Sequence, residues 1–333
     1  MEWLSMLWLG APAWTWLVFL AVVVVLLVLD LGVLNRKDHV IGVAESLKLS
    51  ALYVAAGLLF GLWVIHAFGA EKGLQYYTGF LIEKSLSLDN IFVISLIFAT
   101  LAIPPAYQHR VLFWGIVGVI LTRGVMIGAG SALVASYYWT LYVFGAILVV
   151  TGIRMFFVTT GSDDIRDSAI LAWLRRHLRV TDGLHGNAFL VRVPDRSGKP
   201  LLHATPLLLA LCMVEATDVV FAVDSVPAIF AVTSDPFIVY TSNIFAVLGL
   251  RALYFALAAM VERFAYLKYS LAAVLVFIGS KIFIGDFVFG GKVPATLSLA
   301  VTGALILGGI VFSLWRTRGA QGHRGSPVDR RGA

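Results

Sequence analysis

The sequence predicts an all-α polytopic membrane protein with about nine transmembrane helices, and three observations carry that prediction. Apolar residues make up 60% of the 333-residue chain and charged residues 13%, against about 25% charged in an ordinary soluble domain. Nine apolar runs are long enough to cross a hydrocarbon core of about 30 Å: 14–34, 49–68, 78–101, 111–134, 138–157, 205–229, 236–260, 269–285 and 293–315. Lys and Arg, finally, collect in alternate loops.

No Lys or Arg precedes the first run, which is longer than the apolar core of a cleavable signal, so it is expected to remain as the first span. With the N-terminus outside, the inner side receives 18 basic residues, including Arg36, Lys37, Lys48, Arg110, Arg263, Lys268 and those of the 158–204 loop and the tail; Lys72 and Lys292 stay outside. The positive-inside rule therefore predicts an outside N-terminus and a cytoplasmic C-terminus. The same distribution sets the net charge of +6 against an anionic inner leaflet, and no nucleic-acid partner is needed to explain it. Spans one to five fill 1–157, a cytoplasmic loop 158–204, spans six to nine 205–315, and a Gly- and Arg-rich tail, expected to be disordered, 316–333. Within the loop, Ile170, Trp173, Leu174 and Leu178 among Arg175, Arg176 and Arg179 have the pattern of a helix lying on the inner membrane surface. The stretch from Phe189 to His203 has that of a hairpin. A single cysteine, Cys212, excludes a disulfide framework and a thiolate metal cage, and reads as a small packing residue.

An internal repeat organises the middle of the chain. Residues 144–157 (FGAILVVTGIRMFF) match 271–284 (LAAVLVFIGSKIFI), placing Gly152 on Gly279 and Arg154 on Lys281. One span earlier, 113–127 match 241–255 and place Arg123 on Arg251; one earlier again, Glu83 and Asp89 have the spacing of Asp218 and Asp224. Helices 3–5 thus recur as helices 6–8, and an odd number of spans between counterparts puts the two units in opposite orientations. Inverted repeats of this kind are a mark of secondary transporters, with the substrate site at the midplane.

Two of these spans carry acids at membrane depth: Glu83 and Asp89 in the third, Glu215, Asp218 and Asp224 in the sixth. Each costs about 2.5–3.5 kcal/mol on insertion scales, so five read as a functional site. With Asn90 and Ser225, and the hydroxyls of Ser87 and Thr217, they form an all-oxygen donor set without histidine. Such donors suit a hard divalent cation, and by themselves admit Mn²⁺, Mg²⁺ or Ca²⁺. Helical phase puts Glu83, Ser87 and Asn90 on one face and Glu215 with Asp218 on another. Pro227 is expected to break the sixth helix and free the carbonyl of Val223 beside Asp224.

The competing reading is that the acids only pair with Lys84, Arg123, Arg154, Arg251 and Lys281, of which Arg154 and Lys281 can also snorkel from helix ends. A mixed role follows: Arg123 and Arg251 hold the emptied carboxylates until a cation displaces them, with protons as a candidate coupling ion. Asp30, near the inner end of the first span, either lines an exit path or caps a helix end.

These residues carry a family likeness. The stretch Leu29-Asp30-Leu-Gly-Val, the run from Gly79 through Glu83 and Asp89-Asn90 to Phe92, the segment from Pro105 to Gly115, and above all 215–254 (EATDVVFAVDSVPAIFAVTSDPFIVYTSNIFAVLGLRALY) resemble the tellurium-resistance protein C (TerC) family, in its Alx-type branch. The resemblance spans about 17–284 and implies a bacterial inner-membrane protein of metal-ion homeostasis, with manganese export or supply as its role. It carries the family's acidic motifs onto Glu83, Asp89, Asn90, Glu215, Asp218, Asp224 and Ser225. The expected function is export of a hard divalent cation, Mn²⁺ first, with no resident cofactor. The alternative is a membrane scaffold of a metal or tellurite stress-response or secretion complex that does not itself transport. Paired aspartates also admit intramembrane acid–base chemistry, but no Gly-x-Gly-Asp motif accompanies them, and the chain is not read as an enzyme.

Overall fold

The computed structural model describes residues 6–29, 42–157, 165, 167–194, 200–258, 267–288 and 293–323; the side chains of a few helical positions, Asp89 and Arg251 among them, fall outside the description, as does Asp30. The elements run α1 Ala13–Leu29, α2 Val43–Phe68, α3 Ala70–Thr100, α4 Pro105–Ser136, α5 Thr140–Phe157, α6 Ala169–His177, α7 Pro206–Phe230, α8 Pro236–Ala258, α9 Leu267–Val288 and α10 Ala295–His323. Two small antiparallel hairpins, β1 Leu7–Trp8 with β2 Ala11–Pro12 and β3 Leu190–Pro194 with β4 Pro200–Ala204, complete the described residues.

Among the described residues, six helices are long and apolar enough to cross a membrane: α2, α4, α5, α7, α9 over Lys268–Gly285 and α10 over Ala295–Ser313; α1 and the Pro236–Leu250 part of α8 are shorter apolar helices. The chain is thus an all-α membrane protein. The long helix α3 reaches about 46 Å at 1.5 Å per residue, but Glu83, Lys84 and Asp89 interrupt its apolar character. Large apolar side chains face outward, as they do where the surrounding solvent is lipid: Leu121, Val125, Val150, Leu307 and Val311 are all exposed.

The turns are built where the chemistry expects them. Pro105 and Pro206 open α4 and α7 at the first helical turn, where a missing N–H costs nothing. Gly69, at φ +92°, turns the chain from α2 into α3 in a conformation only glycine adopts easily. Asp235 accepts from the N–H of Phe237 at 3.0 Å at the start of α8, and its other oxygen takes Lys72 Nζ at 2.6 Å, tying α3 to the α7–α8 turn.

Packing sets the neighbours. Helix α3 lies against α8, α7 and α2; α4 lies against α7 and α8; α5 lies along α9; α10 closes on α9 and α3. The α5–α9 contact is close because glycines line it: a Cβ on Gly279 would stand 2.6 Å from the carbonyl oxygen of Gly145, and one on Gly152 2.8 Å from that of Ala272. Ser46 of α2 donates to the Ala252 carbonyl of α8, and Ser270 of α9 to that of Leu305 on α10.

Two expectations change, and one element is new. Helix α7 does not break at Pro227 but continues to Phe230. Proline removes only the bond to Val223 near the helix end, and Val226, Ile229 and Phe230 are buried with Ile127, Val134 and Val239, which holds the last turn in place. The helix of the 158–204 loop is shorter than its pattern, Ala169–His177; Ser168 caps it, and Leu171 and Leu174 bury in the cluster that contains Leu207, Leu209 and Ala210 of α7 while Ile170 and Trp173 stay exposed. The N-terminal hairpin was not anticipated; it turns at Gly10, and its Trp8 carbonyl accepts from Trp16 Nε1 at 2.8 Å.

Candidate ion-binding site

The centre of the bundle is organised by Arg123. It projects from the middle of α4, is fully buried, and has its donors engaged on two other helices. Nη1 donates to Glu83 Oε1 of α3 at 2.9 Å and to Ser225 Oγ of α7 at 2.7 Å. Nε and Nη2 form a fork on Asp218 of α7, at 3.2 Å to Oδ2 and 3.1 Å to Oδ1. Such planar two-point recognition of a carboxylate is what arginine does and lysine does not. Glu83 and Asp218 are themselves buried, so two carboxyl groups share one guanidinium. Asp218 lies at the midpoint of α7, twelve residues from either end.

A fourth helix joins through a residue that the acidic motifs did not flag. Asn243 of α8, fully buried, donates from Nδ2 to Glu83 Oε2 at 3.0 Å, while its Oδ1 has no hydrogen-bond partner among the described residues. Its signal in the sequence was an amide after Thr241 and Ser242 in a largely apolar span, which also reads as ordinary helix packing.

The other acids stand apart from this knot. Asp224 accepts from Thr151 Oγ1 of α5 at 3.0 Å. Glu215 lies flat on Gly118 of α4: a Cβ there would come within 2.0 Å of its Oε1, and neither of its buried oxygens has a partner among the described residues. Asn90 lines the cavity described below, and Ser87 donates to the Lys84 carbonyl at 2.7 Å. Lys84 itself reaches the Ala246 carbonyl of α8 at 3.2 Å. Lys281 does not snorkel; it is buried and donates to Ser298 Oγ of α10 at 3.1 Å, because α10 covers that face of α9. The side chains of Asp89 and Arg251, and all of Asp30, lie outside the described residues.

Beside a small cavity of about 40 Å³ lined by Asn90, Thr217 and Asp218, two larger ones lie at different levels along α3, α4 and α7. One, of about 240 Å³, is lined by Glu83, Asn90, Arg123, Thr151, Asp224 and Ser225 and extends to Lys268. The other, of about 470 Å³, is bounded by Glu71, Gln75, Tyr138, Phe230, Thr233 and Lys281. Between their linings stand buried apolar residues: Ile127 between Arg123 and Ser131 on α4, Val226 between Ser225 and Phe230 on α7, and Ile278 between Leu275 and Lys281 on α9. Among the described residues no three acidic, imidazole or thiol side chains converge as a metal cage. Three of the expected ligands, Glu83, Asp218 and Ser225, instead meet on a guanidinium.

These features define a multi-pass α-helical membrane protein with a buried charge network at mid-bundle. The chain belongs to the integral membrane protein TerC family, which its residues 68–321 match. It is 50% identical over 302 residues to an uncharacterized membrane protein of Rickettsia felis, covering 91% of this chain and 98% of that one. It is likewise 50% identical over 311 residues to the uncharacterized membrane protein STKORF319 of Myxococcus xanthus, covering 93% and 95% of the two chains. A Salmonella typhi protein named "Putative membrane-bound redox modulator Alx" is 45% identical over 315 residues, 92% of this chain and 95% of that protein. No solved structure matches the chain.

Proposed function

We propose that the chain is a transporter that moves a hard divalent cation, Mn²⁺ in the first place, out of the cell through the mid-bundle carboxylates. The observation that carries this reading is a pair of buried carboxylates, Glu83 and Asp218, held on Arg123, with Glu83 and Arg123 in the wall of a 240 Å³ cavity that Asp224, Asn90 and Ser225 also line. Ionisable groups at membrane depth mark ion pathways by default, and an all-oxygen donor set selects hard ions. The ion is substrate here, not a resident cofactor.

The reading includes nine spans, an outside N-terminus in the inner membrane and an inverted repeat of α3–α5 in α7–α9. Packing supports the repeat. Under the offset that lays Gly152 on Gly279, Gly145 falls on Ala272, so the approach of Gly152 to Ala272 and that of Gly279 to Gly145 exchange. The neighbours of the halves exchange too, α3 against α8 for α7 against α4. Two cavities separated by Ile127, Val226 and Ile278 fit alternating access between the two repeats. The redox-modulator name of the Alx relatives enters through metal supply, because one thiol, Cys212, gives this chain no dithiol of its own.

The scaffold reading rests on a different observation, the folded inner loop, whose β3–β4 hairpin and α6 pack at the entrance of α7. Mn²⁺ flux in proteoliposomes separates the two. Saturable flux in native protein, lost in Glu83→Gln and Asp224→Asn at matched insertion, is the expected result, with a dependence on an imposed pH gradient if protons couple. Absence of flux in well-folded native protein under gradients of either sign would transfer the role to the loop.

A further inference from the structure

We propose that Arg123 sets the charge selectivity of this site: its guanidinium is a tethered monovalent cation seated where the substrate must bind, and only an ion carrying two charges displaces it. The inference rests on the transport reading and names what that site discriminates. Arg123 is fully buried and makes four hydrogen bonds, to Glu83, Ser225 and both oxygens of Asp218, at 2.7–3.2 Å. A sodium or potassium ion entering in its place brings no additional charge and must replace a fork of charge-assisted bonds that fits the carboxylate plane. A divalent ion neutralises both Glu83 and Asp218, where the guanidinium leaves one negative charge over.

The oxygens for that exchange are already gathered. Glu83, Asp218 and Ser225 lie within reach of one guanidinium, and Asn243 Oδ1 is a buried acceptor with no partner among the described residues, on a side chain fixed by its bond to Glu83. Carboxylate, hydroxyl and amide oxygens are the ligands hard divalent ions take. A displaced guanidinium also has somewhere to go: the cavity that Arg123 lines holds Asp224 and Asn90. A structural ion triad requires neither an unused amide oxygen nor an adjoining cavity with a second carboxylate.

The test is Mn²⁺ binding to the full chain in nanodiscs, read from the electron paramagnetic resonance signal of free Mn²⁺, with choline or sodium as the background cation at constant ionic strength. Native protein is expected to bind Mn²⁺ equally in both. Arg123→Gln is expected to bind about tenfold more tightly in choline and to lose most of that gain in sodium. Arg123→Lys, which keeps a tethered single charge, should remain insensitive to sodium, and it carries the test if the Gln variant does not insert. An Arg123→Gln protein whose affinity is unchanged or whose binding ignores sodium overturns the proposal, as does a sodium-sensitive Arg123→Lys. Native protein that neither binds nor moves Mn²⁺ removes the transport reading along with this one; native binding with a sodium-indifferent Gln variant removes this one alone.

Discussion

Replacing Glu83 by Leu, Arg123 by Met, Asp218 by Leu and Asn243 by Leu in one chain is expected to leave the bundle about as stable as native protein while abolishing Mn²⁺ flux. Single changes should behave differently. Arg123→Met strands two buried carboxylates, and Asp218→Leu takes away the fork that holds Nε and Nη2. Breaking a buried pair by removing one partner costs about 3–5 kcal/mol, because the remaining charge stays desolvated and uncompensated. If the losses at Glu83, Arg123 and Asp218 simply added, the combined variant would lose about 9–15 kcal/mol, enough to unfold most domains. They should not add, since the three share one network. Removing every member leaves no uncompensated charge, and apolar groups of similar size in place of a buried ion triad are neutral or stabilising by about 1–4 kcal/mol. The one polar group left, the Ser225 hydroxyl, can bond a carbonyl of its own helix.

The assay is reversible unfolding in mixed detergent micelles on adding sodium dodecyl sulfate, followed by the fluorescence of the nine tryptophans, beside flux in proteoliposomes. A combined variant that melts as early as the worst single variant would refute the argument. It would mean that the network is a staple on which the packing of α3, α4, α7 and α8 depends, which is the ion-pairing reading of the same residues.

Two further substitutions probe close approaches. Gly118→Ala puts a methyl 2.0 Å from Glu215 Oε1 and 2.3 Å from its Cδ, so the carboxylate must swing off α4; Mn²⁺ flux should fall by about tenfold or more with the melting point nearly unchanged, and Gly115→Ala, whose Cβ would stand 3.9 Å from the same oxygen, serves as the mild control. Gly279→Ala sets a methyl 2.6 Å from the backbone oxygen of Gly145, where no side chain can yield, and should cost about 1–3 kcal/mol in the same detergent unfolding assay.

Hydropathy placed the six helices that, among the described residues, are long and apolar enough to cross a membrane, because a bilayer imposes one demand on any span, a sufficient apolar length. It misjudged the third, set at 78, whereas α3 begins at Ala70: Glu71, Lys72 and Gln75 continue the helix in polar company, and a hydropathy window does not see helix that lies beyond the hydrocarbon. It also overstated the weight of Pro227. A proline's cost depends on how much helix follows it and on what that helix packs against, and here the remainder is one buried turn. The N-terminal hairpin, two residues per strand around Gly10, is too short for any alternation to register.

The site was legible in part for a similar reason. Helical phase assigns a residue to a face, so Glu83 and Asn90, which line one cavity, and Glu215 and Asp218, which both turn to α4, were grouped by spacing alone. Phase does not say which helix stands opposite that face. The meeting of Glu83 and Asp218 on Arg123 depends on α4 packing against α7 and on α7 packing against α3, and the bonds from Arg123 to Asp218 and to Glu83 join residues 95 and 40 positions apart in the chain. Asn243 and Thr151 escaped because a lone amide or hydroxyl in an apolar helix is common.

The three acids of α7 are held to different degrees, and their order along the helix gives that difference a use. Asp218 is clamped by a guanidinium fork; Asp224, about 9 Å further along the axis at 1.5 Å per residue, is held by one hydroxyl; Glu215, about 4.5 Å the other way, has both oxygens without a partner among the described residues. Four ligands of uniform and saturating strength would trap an ion. A path on which a loosely held carboxylate lies to either side of a clamped one lets an ion bind at one end, compete with Arg123 at the centre and leave at the other, which is the condition for conduction through any multi-site pathway. On the transport reading, the guanidinium is therefore the step that must be won at the midpoint of α7, and the partly free acids beside it are what keep the ion from staying there.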